Sequence, residues 1–120
     1  MKLYCKTCGV AVTNDLQEMT DISGLDREAS GKDYLPRGVY SFTDKVLPHM
    51  KSTEIVVNNH DVINCNYHWD QSRLNGCCGQ DGCDGLNRVC INGHEVGTER
   101  SDCWTYHFTS FDPKVVEMID

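Results

Sequence analysis

The apolar positions of this chain fall in short runs, most of them β-branched or aromatic, separated by polar stretches. Leu3-Tyr4 and Val10-Ala11-Val12 flank a five-residue knuckle, which predicts a strand–turn–strand unit at residues 3–12. Residues 13–38 carry Asp15, Glu18, Asp21, Asp26, Glu28 and Asp33 with little periodicity. They read as a long irregular excursion holding at most a helical turn and closed by Pro36 and Gly38. Val39 to Phe42 favours a pleated setting and predicts a strand. Thr53 to Val57 is the clearest β-branched run; Asn58-Asn59 then offers a turn, and Val62-Ile63 a returning hairpin arm.

From Cys65 to Gly85 the composition shifts to Cys, Gly, Asn and Asp, and the stretch NGCCGQDGCDG suits neither a helix nor a regular strand. Asn92-Gly93, set between Leu86–Ile91 and His94–Thr98, predicts a hairpin with a type I′ turn. Trp104, Tyr106 and Phe108 alternate with Thr105, His107 and Thr109, so a last strand is expected over Cys103–Phe111 with its aromatic face in the core. Asp112-Pro113 has the form of an N-cap and first helical residue, predicting a short helix over Lys114–Met118. The sum is a single α+β, mostly β, domain over residues 1–120.

Composition narrows what can hold such a domain together. Hydrophobic residues make up 39% of the chain and mean hydropathy is −0.47, so the core is modest and a metal or disulfides would help it fold. The opening MKLYCKTCGVAV has no apolar signal region, so neither a signal peptide nor a membrane span is expected and the setting reads as cytoplasmic. Cytosolic thiols stay reduced, which favours zinc over a disulfide framework, although an even count of eight cysteines also suits disulfides in a secreted form. A net charge of −7 argues against nucleic acid, whose phosphates call for clustered Lys and Arg.

The cysteines then become the centre of interest. Cys5-Lys6-Thr7-Cys8-Gly9 has the CxxCG form of a zinc knuckle: two thiolates chelate one ion, and the glycine allows the turn that aims backbone N–H groups at the sulfurs. Cys90, at the mouth of the Asn92-Gly93 hairpin, is a third ligand candidate. Cys77 and Cys78 are neighbours whose side chains diverge, so one of them is expected as the fourth, with His94 a possible substitute. The preferred set is Cys5, Cys8, Cys77 or Cys78, and Cys90; a second ion using Cys65, His68, Cys83 or Cys103 is the variant arrangement. Cys65 and Cys103 otherwise read as small buried hydrophobes. Thiolates accept both Zn2+ and iron. No GxSxG, HExxH, Walker or dinucleotide pattern is present.

The stretch GCCGQDGCDGLNRVCINGHEVGTERSDCW, together with the N-terminal CxxCG, resembles a pattern of small uncharacterised bacterial cysteine-rich proteins; it covers residues 4–12 and roughly 75–108. The resemblance implies a metal-stabilised fold and no particular activity. YCKTCG followed by β structure and a late glycine-rich hairpin is similar to zinc-pinned β-tent folds, which yippee-like proteins, the cereblon ligand-binding domain and B-type methionine sulfoxide reductases share. On the reductase likeness, Arg88-Val89-Cys90-Ile91-Asn92 would make Cys90 a nucleophile, with Cys78, Cys83 or Cys103 as resolving thiol. That family's histidine-rich segment and second CxxC are absent. The resulting expectation is a zinc-ribbon or β-tent-like domain acting as a binding or accessory module. Its protein partner would meet the 13–38 excursion or the 39–64 segment. A thiol enzyme using Cys90, or a redox or metal sensor using the 77–83 loop, is the alternative.

Overall fold

A computed structural model describes residues 1–26, 31–50, 52–103 and 105–120. The β-branched and aromatic runs form strands as their composition asks, and the chain is mostly β. The main sheet has seven strands in the order β2-β3-β4-β8-β7-β6-β5: β2 Gln17–Glu18, β3 Val39–Phe42, β4 Ile55–Val57, β5 Cys65–Tyr67, β6 Arg88–Cys90, β7 Glu95–Arg100 and β8 Phe108–Phe111. Only β2 and β3 run parallel; the other neighbours are antiparallel. A second, two-stranded sheet pairs β1 (Lys2–Cys5) with β9 (Val116–Ile119).

Period-two alternation along β4 divides the core. Ile55 and Val57 join Leu3, Val12, Leu16, Val96, Phe111 and Val116 beneath the β1–β9 ribbon, while Val56 faces the opposite way onto Tyr34, Leu35, Val46, Leu47 and Phe108. All three β4 side chains are buried, so this part of the 39–64 segment offers a partner no surface. Tyr106 stacks on Tyr34 with ring centroids 4.3 Å apart, which puts that much of the expected aromatic face against the core; Trp104 lies outside the described residues. The strand itself is shorter than expected. It begins at Phe108; before it, Cys103 is bonded to Cys78, and His107 Nε2 lies 2.7 Å from Asp102 O.

Other expectations are corrected by long-range pairing. The predicted helix over Lys114–Met118 is a turn followed by β9. Asp112 Oδ1 does accept the N–H of Lys114 at 2.9 Å, but Val116–Ile119 then fills the open edge of β1, register Cys5↔Val116. Val62-Ile63 does not return along β4, whose edges are taken by β3 and β8; it bridges to Thr13 instead, and Ile63 N–H donates to Val12 O at 2.9 Å. Within the expected 65–85 loop, Cys65–Tyr67 forms the sheet's edge strand on β6. The long excursion holds a short 3-10 turn at Ile22–Gly24, and a one-turn helix, α1 (Thr43–Val46), follows β3. No helix among the described residues is long and apolar enough to cross a membrane.

The Asn92-Gly93 hairpin joins β6 to β7, but its turn is not type I′. That turn needs positive φ at both central residues, and here only Gly93 has it, at +84°. Gly93 N–H donates to Cys90 O and Cys90 N–H to His94 O, both at 2.8 Å. These bonds describe a three-residue loop, a type I turn ending in a left-handed glycine. The extra residue directs His94 back over Cys90.

Candidate metal centre

The β1 knuckle and the β6–β7 hairpin meet through four side chains. Ligand atoms of Cys5, Cys8, Cys90 and His94 all lie within 4.8 Å of one another. Cys5 Sγ is 3.7 Å from His94 Nδ1, Cys8 Sγ is 3.8 Å from Cys90 Sγ, and Cys90 Sγ is 3.3 Å from His94 Nδ1. Such a group can hold a metal ion.

Local structure explains the convergence. Cys5 closes β1, with its N–H on Val10 O at 2.9 Å, and Gly9 returns the chain at φ +78° with its N–H on Cys5 O at 2.8 Å. Asn92 Nδ2 reaches across from the other hairpin to Cys8 Sγ at 3.2 Å. That bond, aided by the N–H of Val10, lowers the Cys8 thiol to about 6, which favours its thiolate form. Cys90 is wholly buried, and burial pushes its thiol up; the N–H groups of His94 and Asn92 work in the opposite direction. An activated nucleophile needs access and a lowered thiol pKa, and Cys90 has neither in this arrangement.

Cys77 and Cys78, expected to supply the fourth ligand, lie elsewhere. They group with Cys103 in a second set of three sulfurs within 4.8 Å. The reason is β7. His94 immediately precedes this strand and Cys103 follows its end, and the five steps along its six extended residues span roughly 17 Å at ~3.3 Å each. The two clusters therefore sit at opposite ends of one strand and cannot share an ion. His94, not Cys77 or Cys78, completes the group around Cys5.

Cys78 and Cys103 are joined by a disulfide, with Cα atoms 5.7 Å apart, so not every thiol is free as the cytosolic reading expected, and Cys103 is not a packed hydrophobe. Asp102 draws the two segments together by accepting the N–H groups of Cys77, Cys78 and Cys103. Cys65 does pack against the core, facing Cys90 across β5–β6. His68 is engaged by Glu95, its Nε2 2.9 Å from Glu95 Oε2, and by the N–H of Asp70 on Nδ1. Cys83 is exposed and bonds to Asp81 O. None of these three joins the metal-capable groups among the described residues.

His94, the substitute candidate of the sequence, is the residue that the fold brings beside Cys5, Cys8 and Cys90, and its Cys-x3-His spacing across a turn was the signal for it. Sequence reasoning overlooked Asn92 and Asp102, whose roles come only from what the hairpins bring near them. Known protein families, curated proteins and solved structures contain no match to the chain.

Proposed function

We propose that the chain is a cytosolic structural-zinc domain serving as a binding or accessory module, with Cys5, Cys8, Cys90 and His94 as the ligands. The observation that carries this reading is the spacing of the four ligand atoms. A tetrahedral zinc ion with ~2.3 Å bonds to sulfur and ~2.05 Å to nitrogen separates its sulfurs by about 3.8 Å and a sulfur from a nitrogen by about 3.6 Å. The Cys8–Cys90 distance is 3.8 Å, and the two sulfur–His94 distances are 3.7 and 3.3 Å. Four protein ligands leave zinc no open position, the mark of a structural site rather than a catalytic one. Such an ion would fasten the β1 knuckle to a hairpin more than eighty residues away. A protein partner would then meet the 13–38 excursion, where Glu18, Met19, Thr20, Asp21 and Pro36, with Val39 at the start of β3, line a groove of about 340 Å³.

Native mass spectrometry on protein purified without added metal tests this reading. One zinc per chain is expected in the wild type, with its loss and unfolding in Cys90→Ser. A Cys90→Ser chain that folds with full metal would place Cys90 outside the ligand set and return it to the nucleophile reading. Iron in place of zinc would keep the site and overturn the choice of metal.

A further inference from the structure

The loop of residues 74–87 and the connection from β7 to β8 close around one carboxylate. Asp102 Oδ1 accepts the N–H of Cys78 and of Cys103, each at 2.8 Å, and Oδ2 accepts the N–H of Cys77 at 3.2 Å. Gln80 N–H donates to Ser101 Oγ at 2.9 Å, and Gln80 O accepts the N–H groups of Ser101 and Asp102 at 2.8 and 3.2 Å. The fit leaves no room for side chains at two positions. A Cβ on Gly76 would collide with Gly79 O, and one on Gly79 with Ser101 O. The three cysteine backbones are thus held by hydrogen bonds and close packing in addition to the Cys78–Cys103 bond.

The geometry points to a second metal site, present only in the reduced chain, in which Cys77, Cys78 and Cys103 hold one thiophilic cation of the monovalent copper class. The three sulfurs already lie within 4.8 Å of one another, and Cys77 and Cys78 are exposed to an incoming donor. Among the described residues no fourth ligand atom joins them, and the Asp102 oxygens are occupied by backbone N–H groups. A soft ion content with three thiolates fits this set better than zinc, which takes four ligands.

The disulfide and the bound ion are two states of the same centre. Opening the Cys78–Cys103 bond takes two electrons and two protons, which two low-molecular-weight thiols supply as they leave joined in their own disulfide. The ion then replaces the protons of three thiols. In the reverse direction a small disulfide or a diazene oxidant takes two electrons from the Cys78 and Cys103 thiolates and two protons from solvent, the two sulfurs bond to each other, the ion is released, and Cys77 regains a proton from solvent. The length of β7 separates this centre from Cys5, Cys8, Cys90 and His94, so the inference does not rest on zinc being held there.

The test delivers one equivalent of Cu(I), as its acetonitrile complex, to the chain as purified, after phosphine reduction and removal of the phosphine. Native mass spectrometry then counts the ions. The reduced wild type is expected to gain one copper without losing any metal it already carried. After oxidation with diamide it should gain none and weigh two hydrogens less. Reduced Cys77→Ser and Cys103→Ser chains should hold copper at least tenfold more weakly against a competing chelator. Copper retained equally by Cys103→Ser, copper retained by the oxidised chain, or copper that displaces the resident metal one for one would each overturn the inference. A chain purified with no zinc would sink the structural-zinc reading alone; the copper counts would then be read on a Cys5→Ser, Cys8→Ser background, where the emptied first cluster cannot take up the copper.

Discussion

Removing the ion proposed for the Cys5–Cys8–Cys90–His94 centre would open a loop whose ends, Cys5 and His94, are 89 positions apart. Treated as a cross-link of that length, the ion restricts the unfolded chain by ~15 cal/mol/K, or about 4.6 kcal/mol at 25 °C. The Cys78–Cys103 disulfide closes only 25 residues, and the same relation assigns it about 3.5 kcal/mol. The metal clip is therefore the stronger of the two by about 1 kcal/mol on chain entropy alone. Domains of this size are stable by only about 5–15 kcal/mol, so losing the clip would remove about a third or more of that stability. Thermal unfolding followed by far-UV circular dichroism, with and without chelator, reads the difference. A fall in Tm of roughly 15 °C is expected at ~3–4 °C per kcal/mol for this length. Adding zinc back should restore the original midpoint, and His94→Ala should reproduce the loss without chelator. An unchanged midpoint after verified metal removal would refute the clip. So would a loss smaller than that caused by reducing the disulfide, since the longer loop must matter more.

Three further outcomes follow from the packing. Arg88 and Glu99 form an ion pair at 2.8 Å, with both side chains nearly buried and Tyr67 OH also donating to Glu99 at 2.9 Å. Glu99→Gln leaves the Arg88 charge uncompensated and should cost about 3 kcal/mol in urea unfolding; a cost under ~1 kcal/mol would mean water reaches the pair. Gly97 sits in β7 where a Cβ would lie 2.7 Å from Ser110 O and 3.0 Å from Phe111 Cδ1. Gly97→Ala should therefore destabilise by about 1–3 kcal/mol through strand displacement, and a neutral result would show that β8 yields freely. Burial raises the Cys65 thiol to about 11, so in native protein at pH 8 Cys65 should resist iodoacetamide and react only after unfolding, as peptide mapping would show.

The strands at 39–42 and 55–57 were legible because β-branched and aromatic residues specify a pleated, buried surface wherever that surface comes from. The CxxCG knuckle was legible for a similar reason. Two ligands and a left-handed glycine within five residues need nothing from the rest of the chain. The β6–β7 hairpin was also visible, though its turn type was not. Asn-Gly permits two positive φ angles, whereas the loop uses one and gains an extra residue.

What could not be read locally was decided by edges and strand lengths. Lys114–Met118 carries a good helix start, yet Val116 to Ile119 becomes a strand because β1, more than a hundred residues earlier, has an edge to fill. Cys65–Tyr67 is only three residues long, too short for a pattern to announce, and is a strand because β6 lies beside it. The fourth member of the group around Cys5 illustrates the same division. Residue chemistry alone puts Cys77 or Cys78 first and keeps His94 as a possible substitute. The length of β7 removes the first two and the bulged turn delivers the third. Composition and motif therefore determined that the chain is mostly β and rich in thiol ligands, since those properties reside in single residues and short spacings. Which sulfurs share a centre is a distance between segments far apart in sequence, and only the tertiary pairing of strands sets it.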